Sequence, residues 1–470
     1  MQLIPKLSLS QVLSINNFGC IEDFFYRVIP YMRRSPCILL LSGEETDCSR
    51  YCIAGWDPLI ILHSRGEIAH LWIKDRAVSK KISYCDVLPF IDGCINYLSK
   101  DIGPSTDPFV GGFMGYIAYE YKNMVEPCLT QMARDDLKLP DMFWIFPSKI
   151  MIFDKKENLL EGYVWYFSDS NEELISFLDP VSGDNGLDSY KFGHIGSNFS
   201  RNAYIRAVKK IKEYIRNGDV YQVNLSQRFY AKFAGDPLSL FYRLFSTKPA
   251  PFYAYIDAGG YYIISTSMER FLWSNGNIIE TRPIKGTRPR GRTEAEDLQY
   301  KNDLITNQKD DAELSMIVDL LRNDLGKICI PGSVRVKEHK RIETYAYVHH
   351  LVSIIEGKLI YNEHMFHEVI NATFPGGSIT GCPKIRAMEI IDELEPNVRH
   401  VYTGSIGYFG LQRRMDLNIA IRTLIIKDGM SYYGAGGGIV YDSDPEAEYE
   451  ETLNKAEVFF GAGEGSSETG

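Results

Sequence analysis

The chain has 470 residues, 45% of them hydrophobic and 24% charged, with 39 Gly, 21 Pro and a formal net charge of −10. These proportions exclude a disordered, collagen-like or coiled-coil chain, and the length is ample for a buried core. The negative balance excludes a non-specific polyanion binder, because phosphate backbones are held by summed positive charge; no nucleic acid is expected, and an anionic ligand must meet locally placed cations.

In the opening stretch, MQLIPKLSLSQVLSINNFGC, the apolar residues are interrupted by Ser, Gln and Asn, which does not read as a signal peptide. Apolar runs such as ILLL after Cys37 and YYII from Tyr261 fall far short of the roughly 20 residues a spanning helix needs, so no membrane partner is expected. The 9 Cys form no CxxC pair, and several sit in apolar contexts such as SPCILL and KICIPG, which fits a reducing cytoplasm.

Residues 1–185 mix strand-like runs, YVWYF from Tyr163 among them, with helical patches and hold no cluster of catalytic residue types, so they read as scaffold. The stretch Asp179–Ser200 is rich in Gly, Ser, Asp and Asn without periodicity, as a linker or long surface loop should be. It sets off a catalytic region at 196–462, followed by a Gly/Ser/Glu tail at 463–470 that reads as frayed.

Beyond the linker, Ser200 caps an expected helix whose Tyr204, Val208, Ile211 and Ile215 recur at helical spacing up to Gly218. In YQVNLSQRF, Tyr221, Val223 and Leu225 alternate with Gln222, Asn224 and Ser226, predicting a strand with one apolar face and one polar face that lines a pocket. Further strands are expected over 261–265, 404–409, 417–426 and 431–440, and helices over 311–325, 383–394 and 445–459, without βαβ regularity.

Four segments carry chemistry. In SDPEAEYEETLNKA, Asp444 and Pro445 start a helix on which Glu448, Glu451 and Lys455 share one face; the carboxylates suit a hard cation such as Mg²⁺, or else a solvated acidic helix end. Glu313 borders an apolar stripe of Leu314, Ile317, Val318, Leu321 and Leu325, and joins that metal set only if the other acidic helix lies nearby. In TRPIKGTRPRG, Arg282, Lys285, Arg288 and Arg290 surround a turn. That pattern suits an anion loop, but Lys285 between Ile284 and Gly286 also suits an amine nucleophile, with Glu269 of STSMERF as proton donor. In FPGGSITGCPKIRAMEI, backbone N–H groups of the Gly376–Gly381 stretch can cradle a carboxylate; the segment lacks the Lys-Ser/Thr of a nucleotide P-loop. AGGGIV from Ala435 permits close backbone approach, and His350 reads as a pocket-wall or core histidine, having no second His at ligand spacing.

Taken in order, GGFMGYIAYE, GDVYQVNLSQRF, SMERFL, PIKGT, AELSMIVDLLRNDLG, HLVS, FPGGSITGCPKIRAMEIIDELEP, VYTGSIGY, LNIAIRT and GGGIVYDSDPEAEYEETLNKA resemble the chorismate-utilising enzymes over nearly the whole chain. The resemblance implies an α+β fold, one large unit of two stacked antiparallel β-sheets flanked by helices. It also implies Mg²⁺ on Glu313, Glu448 and Glu451 holding the ring carboxylate of chorismate, while Arg422, Tyr402 and the N–H groups of Gly437 and Gly438 hold the enolpyruvyl end. Thr287, Thr380, His350, Lys455 and Gln222 are further implied substrate contacts.

Within the family, anthranilate-forming members are expected to carry Ala where this chain has Lys285, and isochorismate- and salicylate-forming members Lys where it has Gln222. Both residues, with the Asn418 and Gly437 variants, resemble the aminodeoxychorismate-forming branch. There Lys285 would attack ring carbon 2 while Glu269 protonates the departing 4-hydroxyl. Ammonia, supplied from glutamine by a separate glutaminase subunit, would then add at carbon 4 and expel the lysine, giving 4-amino-4-deoxychorismate for folate synthesis. Departures are SMER for SPER, GCPK for GAPK, and LLLSG for the LLES tryptophan-site motif, the last removing its carboxylate. The alternatives are anthranilate formation and a non-catalytic chorismate-binding module.

Overall fold

The computed structural model describes residues 6–43, 46–74, 76–100, 102, 108–168 and 186–461. The 463–470 tail and the first part of the expected linker, 179–185, lie outside the described residues. Antiparallel ladders join the strands into a continuous network flanked by helices, the α+β class expected. The network crosses freely between the first and last parts of the chain. Cys37–Leu41 pairs with Tyr51–Arg65 on one edge and with Phe252–Asp257 on the other. Gly112–Ile117 likewise lies between Met142–Asp154 and Ser405–Gly410. The described part of the linker stretch is pinned rather than loose: Tyr190–Phe192 and Gly196–Ser197 each pair with the Gln222–Gly235 strand.

The helices that frame the later cavity begin where side chains satisfy their first N–H groups. Ser200 accepts from the Ala203 N–H ahead of Arg201–Arg216, and Asn307 from the Lys309 and Asp310 N–H groups ahead of Gln308–Gly326. Asp444 does the same for Pro445–Phe460, where Pro445 occupies a first-turn position that has no hydrogen bond to lose. Lys384–Leu394 follows Pro383.

Two expected strands differ from the alternation that suggested them. Tyr221, assigned to the apolar face, stands 71% exposed just outside Gln222–Gly235, whereas polar Gln222 is 2% exposed. The first half of the strand runs through the interior, with helices Arg201–Arg216, Lys384–Leu394 and Pro445–Phe460 packed on the strand; only from Tyr230 onward do exposed residues alternate with buried ones. The run expected over 417–426 is two strands, Arg414–Asn418 and Thr423–Lys427, paired with different neighbours. Between them the chain turns through Arg422, whose φ of +49° is in the left-handed region.

One buried ion pair ties the turn at 119–125 to the Lys384–Leu394 helix: Lys122 Nζ donates to Asp392 Oδ2 at 2.5 Å, with the side chains 1% and 8% exposed. Removing one partner strands the other charge away from water. Lys122→Met should therefore lower unfolding free energy by about 3–5 kcal/mol in urea titrations; a change under about 1 kcal/mol would show the pair contributes little.

Candidate active site

The site is built on two antiparallel strands, Gln222–Gly235 and Met430–Ile439, paired so that Asn224 faces Gly438, Leu225 faces Gly437 and Ser226 faces Gly436. The glycines keep the second strand bare where other groups need its backbone. A Cβ on Gly434 would stand 2.4 Å from the Tyr402 ring, and one on Gly438 only 2.0 Å from Gln222 Nε2. Beside this floor opens a cavity of about 530 Å³. A larger recess of about 740 Å³ lies between the 63–70 hairpin and the 119–141 segment; it holds none of the expected site residues.

The expected acid and amine meet in the smaller cavity, lined in part by Glu269 and Lys285. Glu269 follows the Tyr262–Ser267 strand and is 5% exposed. Burial pushes its carboxyl up to about 7, against the opposing pull of a hydrogen bond from the Ser378 side chain and of the Lys285 charge. It is thus a carboxyl that can hold or release a proton near neutrality. Lys285 lies on the edge of Ile284–Pro289, its Nζ donating a long 3.4 Å hydrogen bond to the Ser378 carbonyl.

Two further groups mark where an anion would sit. Arg422 lines the cavity, and among the described residues neither it nor Lys285 forms a salt bridge. Burial holds the Arg422 guanidinium below its ordinary range, so it is a desolvated cation without a carboxylate partner. His350 Nδ1 lies 2.9 Å from Thr287 Oγ1, while its Nε2 is buried with no partner. Burial, reinforced by the Arg422 charge, lowers His350 to about 3, so the ring is neutral and one nitrogen is a spare polar contact. Tyr402, Gly437 and Gly438 complete this wall.

At the acidic end, Glu313 and Glu451 line the cavity and Glu448 lies behind Gly437, whose added Cβ would be 3.1 Å from Glu448 Oε2. Glu313 and Glu451, from the two acidic helices, line this one cavity; burial raises both Glu313 and Glu448, and the Glu451 charge adds to each shift. Glu451 is paired with Lys455 at 2.6 Å, and Lys455 also donates to the Gly436 carbonyl at 2.7 Å. Glu448 Oε1 accepts from the Ser443 hydroxyl at 2.7 Å. This all-oxygen, mutually repelling donor set suits a hard divalent cation. The side chains are not drawn into a closed ligand set: among the described residues no group of three His, Cys, Asp or Glu is gathered closely enough to hold a metal ion.

Two expected substrate contacts stand apart from the cavity lining. Thr380 is fully buried and its hydroxyl donates to the Gly376 and Gly377 carbonyls at 3.0 and 3.3 Å, leaving no donor for a ligand. Gln222 lies over Gly438 with its Oε1 unpartnered. Asn224 lines the cavity, as expected of the polar strand face, and so do Ser378 and Lys309, which no expectation named as substrate contacts. Asn224 was legible as part of the polar strand face; Ser378 acts partly through its carbonyl, which no residue type announces.

The family model described as chorismate binding enzyme matches residues 77–461. The aminodeoxychorismate synthase component 1 of Bacillus subtilis is 36% identical over 424 residues, covering 88% of this chain and 89% of that protein. The anthranilate synthase component 1 of Thermus thermophilus is 39% identical over 372 residues, covering 78% and 80%. The crystal structure of anthranilate synthase component I from Streptococcus pneumoniae superposes with a TM-score of 0.75 at 32% identity, covering 89% of this chain and 94% of that one.

The Glu269 titration should be directly visible. In protein labelled with ¹³C at Glu side chains, its carboxyl is expected to titrate near 7, and Lys285→Met should move the midpoint upward because a favourable positive charge is lost. An unchanged midpoint would show that the two groups do not interact.

Proposed function

Because this chain belongs to the chorismate-binding enzymes, we propose that it aminates chorismate to 4-amino-4-deoxychorismate, using Lys285 as nucleophile, Glu269 as acid and ammonia as the nitrogen donor. The observation that carries this reading is an amine and a near-neutral carboxyl lining one cavity, Lys285 and Glu269, beside the unpaired Arg422.

The steps follow from those groups. Chorismate carries two carboxylates. Arg422 offers one of them a charge-assisted, bidentate partner, with Tyr402, neutral His350 and the backbone of Gly437 and Gly438 around it. Glu313, Glu448 and Glu451 would hold Mg²⁺, which when bound supplies positive charge for the other carboxylate. The amine nitrogen of Lys285 then forms a bond to ring carbon 2 as the ring double bonds shift and the carbon 4–oxygen bond breaks; the Glu269 proton leaves with that oxygen as water. Ammonia adds at carbon 4, the double bonds shift back, and the carbon 2–nitrogen bond to Lys285 breaks. Glu269, now ionised, is the nearby base that takes up the proton released by the added nitrogen.

None of the 9 Cys lies in the GxCxG context of a glutaminase nucleophile, so ammonia comes from outside the chain. The relatives' designation as component 1 supports a separate glutaminase subunit in that role.

With chorismate, Mg²⁺ and ammonium, the purified chain should form 4-amino-4-deoxychorismate, whereas glutamine should serve only after a glutaminase subunit is added. Glu269→Gln should cut the rate by about 10²–10⁴-fold, and a chelator should abolish it reversibly. Release of anthranilate and pyruvate would assign the chain to the anthranilate-forming branch instead, and full activity in excess chelator would exclude the metal.

A further inference from the structure

We infer that Asn224 forms the subsite for ammonia, its side-chain oxygen accepting an N–H of the incoming nucleophile. The inference rests on the amination reading given above and places the second substrate within that site. Asn224 lines the cavity, yet its Oδ1 is buried and has no hydrogen-bond partner among the described residues. A buried acceptor left unpaired is costly, and folded proteins normally give it a donor, either from the chain or from a bound molecule. The strand pairing explains why no side chain supplies one here. Asn224 stands opposite Gly438 in the ladder, with Gly437 and Gly436 next along the facing strand, so that strand offers it only bare backbone. Gln222, two residues away on the same strand face and 2% exposed, lies over Gly438, and its Oε1 is likewise unpartnered. Two neutral amide oxygens thus lie along one face, and that of Asn224 belongs to a residue of the cavity wall.

The backbone of Asn224 is held on both sides. Its N–H donates to the Thr380 carbonyl at 2.8 Å, and its carbonyl accepts from Arg399 Nη2 at 2.7 Å. Arg399 is itself fixed, its Nε and Nη2 forming a fork on the Glu395 carboxylate at 2.8 and 2.6 Å. A side chain on so constrained a backbone can present one atom at one place. That place adjoins the proposed nucleophile: two residues before Thr380, the Ser378 carbonyl accepts from Lys285 Nζ at 3.4 Å. The short stretch 378–380 therefore carries Lys285 at one end and Asn224 at the other.

The charge of the acceptor decides what it suits. Ammonia has three N–H donors and one lone pair, and it reacts only through the lone pair. A neutral amide oxygen accepts one N–H and leaves the lone pair free for ring carbon 4. A carboxylate in the same place would favour ammonium, which has no lone pair to give. Asn224 takes up no proton in this role: the proton released as nitrogen bonds to carbon still passes to Glu269.

The test follows product formation with ammonium as the varied substrate, at saturating chorismate and Mg²⁺, in Asn224→Leu and Asn224→Asp. Asn224→Leu, which keeps the size and removes the acceptor, is expected to raise KM for ammonium about three- to tenfold, with KM for chorismate changed less than about twofold and the rate recovered at high ammonium. Asn224→Asp keeps the shape and adds a charge. Its rate relative to wild type should be lowest near neutral pH and climb as rising pH converts ammonium to ammonia. An unchanged KM for ammonium in the leucine variant would overturn the inference, as would an aspartate variant whose relative rate does not change with pH. Equal losses for both substrates, or a rate that saturating ammonium does not restore, would also overturn it, since those mark a role in folding alone. The amination reading fails on a different result, the release of anthranilate and pyruvate by the unsubstituted protein, and the ammonium KM of the same variants then still reports on the subsite.

Discussion

The cavity rests on the pairing of one polar-bearing strand, Gln222–Gly235, with a strand that carries glycine at 434, 436, 437 and 438. Bare backbone is the constraint. Tyr402 and Gln222 lie where Cβ atoms of Gly434 and Gly438 would be, and Glu448 stands close to Gly437. Lys455 reaches the Gly436 carbonyl because the same strip is open. The helix Pro445–Phe460 can therefore bring its acidic first turns close to the sheet, and the cavity forms where ordinary side chains would otherwise fill the space.

Within that space the charges are unbalanced. Arg422 is desolvated without a salt-bridge partner among the described residues, which costs stability unless an anion arrives. At the other end Glu313 and Glu448 are held above their ordinary values by burial and by Glu451. An unpaired cation thus stands apart from a group of carboxylates, the arrangement that the proposed dianion and divalent cation would complement. Glu269, Lys285 and Ser378 line the same cavity, and the Ser378 carbonyl accepts from Lys285.

Local signals were read well from the chain because their physics is local. The Ser200 and Asp444 caps, and the 3.6-residue apolar periodicity behind them, placed the helices within a residue or so of Arg201–Arg216 and Pro445–Phe460. The antiparallel α+β class and the family were legible from ordered motifs. What alternation misplaced was Tyr221, since the adjoining first half of the strand is covered on both faces and has no solvent side there to reveal its register. The break inside 417–426 was hidden for a related reason: the turn through Arg422 is imposed by the different partners of the flanking strands, not by a glycine or proline. Thr380 was named as a substrate contact through the family resemblance; in the structure its hydroxyl donates within its own turn. Lys285 and Arg399 donate to the Ser378 and Ile379 carbonyls, backbone oxygens that every residue possesses and no motif singles out.

The central claim is that Lys285 forms a bond to the substrate, and the most direct measurement is the mass of the peptide that contains it. After incubation with chorismate and Mg²⁺ but no ammonia, followed by rapid acid quench, that peptide should gain the mass of chorismate less one water, and added ammonium should discharge it to 4-amino-4-deoxychorismate. An unmodified peptide in enzyme that turns over fully once ammonium is supplied, together with a Lys285→Ala variant of undiminished rate, would contradict the account.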